Sequence, residues 1–154
     1  MIDILRVELE DDVEIIRELF IEYFEWLDDE TCFPDFDDEL TELPGEYAPP
    51  KGQILLARED DWPIGCVALR EFQENVCEMK RLYVRDEFKG KGIGKTLIVR
   101  LIDEARHLGY KKMVLDTLPY MKQAIHLYQA FGFKEIDAYG DHPVEGAIYM
   151  EMEL

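Results

Sequence analysis

Cysteine, histidine and basic residues are all scarce in this chain: its 154 residues include three cysteines, three histidines and 17 Lys and Arg against 35 Asp and Glu. Cys32, Cys66 and Cys77 fall in unrelated contexts without C-x-x-C spacing, which argues against a disulfide framework or a zinc site and reads them as reduced core residues. His107, His126 and His142 form no H-x-x-x-H or H-x-E grouping, so no metal is expected. The apolar runs stop far short of the roughly 20 residues that a membrane span needs. Met1 leads straight into the alternating Ile2-Asp3-Ile4-Leu5-Arg6 rather than into a basic stretch and an apolar block, so no signal peptide is expected and the default location is the cytoplasm. A net charge of -18 argues against a nucleic-acid binder, whose affinity comes largely from neutralising phosphates. With no repeat, low-complexity tract or linker, residues 1–154 are expected to form a single domain.

The charge is unevenly spread. Residues 1–46 hold eighteen acidic side chains against Arg6 and Arg17, whereas residues 80–112 hold ten basic ones against Asp86, Glu87, Asp103 and Glu104. A basic middle in an acidic protein suits a small polyanion held locally.

Ile2 to Leu9 alternates as a strand, and Val13, Ile16, Leu19, Phe20, Tyr23, Phe24 and Leu27 keep helical spacing after Asp11 or Asp12. A short second helix is expected after Pro34, then a loop over Leu43 to Pro50, whose prolines and glycine oppose regular structure. Gln53–Arg58, Ile64–Phe72 and Asn75–Val84 read as an antiparallel meander. Ile93, Leu97, Leu101, Ala105 and Leu108 draw a helical stripe that stops at Gly109. Met113–Thr117 is strand-like, Pro119 opens a helix that Gly132 ends, and Phe133–Asp137 and Ala147–Met152 are strands. The fold class is therefore α/β (α+β), in the order β-α-α-β-β-β-α-β-α-β-β.

The chemistry centres on Lys89-Gly90-Lys91-Gly92-Ile93-Gly94. Glycines at alternate positions let consecutive N–H groups close on an anion at a helix start, and Lys89, Lys91 and Lys95 add positive charge, so a diphosphate fits. A Walker A loop would need glycine at Lys89, and a dinucleotide fingerprint begun at Gly90 would need glycine at Lys95 and a parallel βαβ unit.

The segment resembles the Q/R-x-x-G-x-G/A motif of the GNAT superfamily of acetyltransferases, with lysine in the first place. Two further stretches, Glu78-Met79-Lys80-Arg81-Leu82-Tyr83-Val84 and Ala124-Ile125-His126-Leu127-Tyr128-Gln129-Ala130-Phe131-Gly132-Phe133, and the element order extend the resemblance over nearly the whole chain. It implies the GNAT acyl-CoA N-acyltransferase fold, a mixed, mostly antiparallel sheet flanked by helices. It also implies acetyl-CoA as co-substrate, held by Lys89, Gly90, Lys91, Gly92, Ile93, Gly94 and Lys95, with pantetheine along the backbone of Leu82, Tyr83 and Val84 in a splay between the fourth and fifth strands. Glu78 is the implied base, directly or through water, for an amine whose pKa near 10.4 must be overcome. Alternatively, Glu78 is a structural partner of Lys80 or Arg81. Tyr128 is the implied acid toward the departing thiolate, against a plain packing role. Met121 stands where the family commonly has asparagine.

For the acceptor, the acidic stretch with Phe33, Asp35, Phe36 and Asp37 favours a cationic small-molecule amine if it walls the pocket, and is otherwise a solvated face. The expected activity is N-acetyl transfer from acetyl-CoA to a primary amine. The alternatives are a noncatalytic acyl-CoA sensor and a protein or peptide N-acetyltransferase. No membrane or nucleic-acid partner is expected, and a homodimer is compatible with the family without any residue compelling it.

Overall fold

The computed structural model of the chain describes residues 1–27, 36–139 and 146–154. The elements are β1 (Ile2–Arg6), α1 (Glu10–Leu27), α2 (Phe36–Glu42), β2 (Gln53–Glu59), β3 (Trp62–Gln73), β4 (Val76–Val84), α3 (Ile93–His107), β5 (Lys112–Thr117), α4 (Lys122–Phe131), β6 (Lys134–Ile136) and β7 (Ile148–Glu153). The expected order holds throughout, and a single seven-stranded sheet runs β1-β2-β3-β4-β5-β7-β6. Among the described residues only β4 and β5 pair in parallel.

Local chemistry explains the element ends. Asp60 and Asp61 both take positive φ, 50° and 70°, as the two-residue turn between Glu59 and Trp62 requires. The turn is thus shorter than the span between the expected strands Gln53–Arg58 and Ile64–Phe72, and Pro63 lies inside β3. Helices α3 and α4 end alike. Gly109 and Gly132 adopt φ of 93° and 104°, and the next amides, Tyr110 and Phe133, reach back to the carbonyls of Ala105 and Tyr128 at 3.1 Å. Pro119 precedes α4 by three residues instead of opening it. Within the loop expected over Leu43 to Pro50, Gly45–Tyr47 forms one 3₁₀ turn.

Two apolar layers sandwich the sheet. Leu97, Ile98 and Leu101 of α3 pack with Leu55, Leu69 and Met113 on one face, joined by Tyr128 from α4. Ile16, Leu19 and Phe20 of α1 and Phe36 of α2 pack with Ile54, Leu56 and Ala68 on the other. The buried thiols of Cys66 and Cys77 are free, and burial pushes both up, Cys77 to about 12. Cys32 and His142 lie outside the described residues.

The irregularity that shapes the molecule is in β4. Cys66 faces Tyr83 and Ala68 faces Lys80, so β4 carries one residue more than β3 there, and Arg81 adopts φ of 60°. The buried Arg81 guanidinium donates to both carboxylate oxygens of Glu39 on α2, at 2.9 and 2.7 Å, and lies 5.9 Å from the centre of the Phe36 ring. A positive φ at a side-chain-bearing residue costs of the order of 1–3 kcal/mol and persists only when surrounding contacts over-determine it. Glu39 supplies that determination. Substituting Glu39→Ala should lower unfolding free energy by roughly 3 kcal/mol, the lower end of what breaking a buried pair costs because Glu39 is partly exposed. Urea denaturation followed by circular dichroism reads it, and a change below about 1 kcal/mol, typical of a surface pair, would reject the assignment.

Candidate active site

The glycine turn lies where a strand hands over to a helix. Gly90 and Gly92 hold φ of 83° and 79°, so any side chain there would be strained although space is open around both. Gly94 has no such φ. A Cβ on it would meet Val84 Cγ2 at 3.9 Å and Leu127 Cδ2 at 4.0 Å, ordinary contacts, so its service is a bare surface above the turn. The first amide to bond within α3 is that of Thr96, to Gly92 at 3.0 Å. The amides of Ile93, Gly94 and Lys95 therefore head the helix where its dipole favours an anion. Lys89 stands over the Trp26 ring at 4.3 Å and pairs with Asp86 at 2.8 Å. These groups open on a trough floored by Leu82, Tyr83 and Val84, with Trp26 and Tyr120, both substantially exposed, at its edges. Trp26, near the end of α1, thus stands beside the glycine turn. Its position follows from the length of α1, which sequence reading did not fix relative to the turn.

The trough runs into a notch between strands. β4 and β5 pair at Val76–Lys112, Cys77–Met113 and Glu78–Val114, and pairing stops there, although β4 continues to Val84 and β5 to Thr117. The backbone of β4 beyond Glu78 is left without a β5 partner. The gap is lined by Tyr23, Leu82, Leu115, Thr117, Met121 and Tyr128 among others. Tyr23, Leu82 and Met121 also line the trough, which makes trough and notch continuous.

Tyr128 reaches the notch from the last turn of α4. Its carbonyl receives the Phe133 amide, and its ring meets the Phe133 ring edge-on at 5.8 Å. The apolar contact that accompanies this helix stop thereby also orients the phenol. Among the described residues nothing hydrogen-bonds its hydroxyl. Burial raises its pKa above the usual 10, with the nearby Tyr23 and Asp116 acting in the same sense, so the phenol stays protonated. Thr117 Oγ1 contacts Met121 Sδ at 3.7 Å just before α4.

Glu78 sits at the last paired position, on the α1 and α2 face of the sheet, and is buried. Its Oε1 accepts from Arg70 Nε and Nη2 at 2.8 and 2.7 Å, and its Oε2 accepts from the Tyr139 hydroxyl at 2.7 Å. The partners considered from sequence, Lys80 and Arg81, are directed elsewhere, to Asp116 and Glu39. Arg70 is the cross-strand neighbour of Glu78 in the β3–β4 register, and same-face neighbours meet most closely. Arg70 also bonds Glu46. Tyr139 had no signal in the sequence. It follows β6 and is brought over the sheet by edge-on contacts with Phe72 and Tyr149 at 4.8 and 4.9 Å.

Of the acceptor-wall residues, Phe36 is buried and stacks on Phe24 at 4.7 Å, while Asp37 is exposed in the first turn of α2. Neither is among the residues that line the notch, and Phe33 and Asp35 lie outside the described residues.

Residues 13–133 match the profile of the Acetyltransferase (GNAT) family, a span that takes in the strand, the glycine turn and Tyr128 together. The chain belongs to this family. It is 39% identical over 155 residues to an uncharacterized N-acetyltransferase of Schizosaccharomyces pombe, covering 99% of this chain and 95% of that one. Its fold matches the PaiA N-acetyltransferase of Thermoplasma acidophilum in complex with coenzyme A, with a TM-score of 0.74 at 23% identity over 100% and 99% of the two chains. It also matches YncA of Salmonella typhimurium with acetyl-CoA, at a TM-score of 0.71 and 20% identity over 99% and 94%. This GNAT protein is an acetyl-CoA-dependent acyltransferase. No helix among its described residues is long and apolar enough to cross a membrane.

If the turn holds the coenzyme diphosphate, Gly92→Ala should weaken binding of coenzyme A about tenfold, the equivalent of about 1.4 kcal/mol of strain at the helix start. Isothermal titration measures this, and an unchanged Kd in a folded variant would remove Gly92 from the cradle.

Proposed function

We propose that this GNAT protein transfers an acetyl group from acetyl-CoA to the primary amine of a small molecule in the cytoplasm. One observation carries the reading: the trough from the glycine turn is continuous with a notch that Tyr128 lines and where strand backbone is unpaired. The residues fit the coenzyme, since amides at the start of α3 and Lys89, Lys91 and Lys95 suit a diphosphate, and the free edge of Leu82, Tyr83 and Val84 suits a chain bearing amides. Acetyl-CoA supplies the activated acetyl group as a thioester.

The residues of the chain handle the protons. Glu78 is the proposed base, and with both its oxygens engaged it receives the amine proton through water or through the Tyr139 hydroxyl, which already donates to it. In the latter route the phenol takes one proton as it gives up its own. Arg70 holds the Glu78 carboxylate in place. Tyr128, kept protonated by its surroundings, donates to the departing sulfur.

The test is thiol release from acetyl-CoA over a panel of amines, amino acids, amino sugars and peptides. Tyr128→Phe should lower kcat about a hundredfold, the lower end of the range for general-acid catalysis, because a thiolate is already a fair leaving group. Its Kd for acetyl-CoA should stay within about threefold. The raised Tyr128 pKa extends the protonated form upward, so the wild-type kcat should show no alkaline fall below about pH 10 from this group. Full turnover by the phenylalanine variant would remove Tyr128 from the reaction.

A further inference from the structure

Helices cover part of the α1 and α2 face of the sheet, and Tyr139 lies over it against Tyr149 of β7. The helices pack over β1 to β4, and among the described residues no helix lies over β5 and β7 on that side. The charged groups on this face are mostly committed. Arg70 is bound to Glu78 and Glu46, and Arg81 to Glu39. Lys80 is different. Its side chain is only 16% exposed, it lines the notch, and among the described residues it pairs with Asp116 Oδ1 across the parted strands at 3.9 Å. Among the described residues its ammonium, with three donors, makes no hydrogen bond. Burial and the neighbouring Arg81 lower its pKa, so an anion arriving at Lys80 relieves a real cost. Asp116 lines the same notch, and its charge is felt by the Tyr128 phenol.

We infer that the acceptor carries a carboxylate beside its amine, and that Lys80 and Asp116 receive the two ends of this zwitterion. An α-amino acid has both charges on one carbon. It can replace one loose ion pair by two close contacts, carboxylate to Lys80 and ammonium to Asp116. Asp116 lies toward Tyr128, so the amino end is the one delivered to the reacting group. A plain amine satisfies Asp116 and leaves Lys80 desolvated beside a second cation, and a carboxamide leaves it without an anion. The inference rests on the acyl-transfer reading and narrows its acceptor.

The experiment measures thiol release from acetyl-CoA with the L-amino acids, each beside its carboxamide and the amine lacking the carboxyl group. Wild-type protein, Lys80→Gln and Asp116→Asn are compared. The wild type should prefer the preferred amino acid to its carboxamide by about fiftyfold or more in kcat/KM. Lys80→Gln should bring that ratio to within about threefold while the Kd for acetyl-CoA stays within about threefold, a selective loss that a general structural defect does not produce. Asp116→Asn should raise KM for acid and amide together and keep their ratio, which preserves the test if the Lys80 variant does not fold. Carboxamides and plain amines used as well as amino acids would overturn the inference and leave acyl transfer standing. So would a Lys80→Gln variant that slows acid and amide equally. If acetyl-CoA binds but no amine of any form is acetylated, the acyl-transfer reading itself falls, and the inference with it.

Discussion

The contact between Arg81 and Glu39 holds one extra residue in β4, and the open half of the molecule depends on it. A bulge increases local twist and bends its strand. β4 turns away from β5 just past Glu78, which leaves unpaired backbone, a notch and a path to the glycine turn. Helix α2 is short, seven residues, and contributes little apolar area, with Phe36 its one buried side chain. Its structural weight lies in presenting Glu39 to the buried Arg81 guanidinium.

The uneven charge of the sequence has a structural meaning beyond ligand attraction. Glu22 on α1 pairs with Arg85, Glu39 on α2 with Arg81, and Glu46 with Arg70, so acids from the first third of the chain neutralise arginines of β3 and of the β4 region. These pairs join helices to sheet on one face. The lysines of the glycine turn lie outside this arrangement and keep their charge near the helix start, although Lys89 shares it with Asp86.

The element order, the meander and the glycine turn were legible because each is written in local patterns: alternation, helical spacing, helix-stopping glycines. Tyr128 came from the family resemblance, and its neighbours Gly132 and Phe133 form the helix stop that aims it. The pairing of Glu78 was not legible, since Arg70 meets it only through the β3–β4 register and Tyr139 only through the path of the chain after β6. Register depends on hairpin lengths to the residue, and the bulge at Arg81 shifts it midway. The charges that line the notch were not legible either. Composition says how many carboxylates are near in sequence, whereas the notch is lined by Lys80 and Asp116, thirty-six positions apart.

The bulge also sets a parity. Up to Lys80, odd and even residues of β4 alternate between the two faces. After Arg81 the alternation resumes one step late, so Leu82 and Val84 face the layer of α3, and Tyr83 faces that of α1. Removing a single residue here would turn the rest of the strand inside out, presenting tyrosine where leucine and valine now pack. The segment can therefore drift in composition far more freely than in length, and an insertion or deletion there would be felt as an exchange of the sheet's two sides.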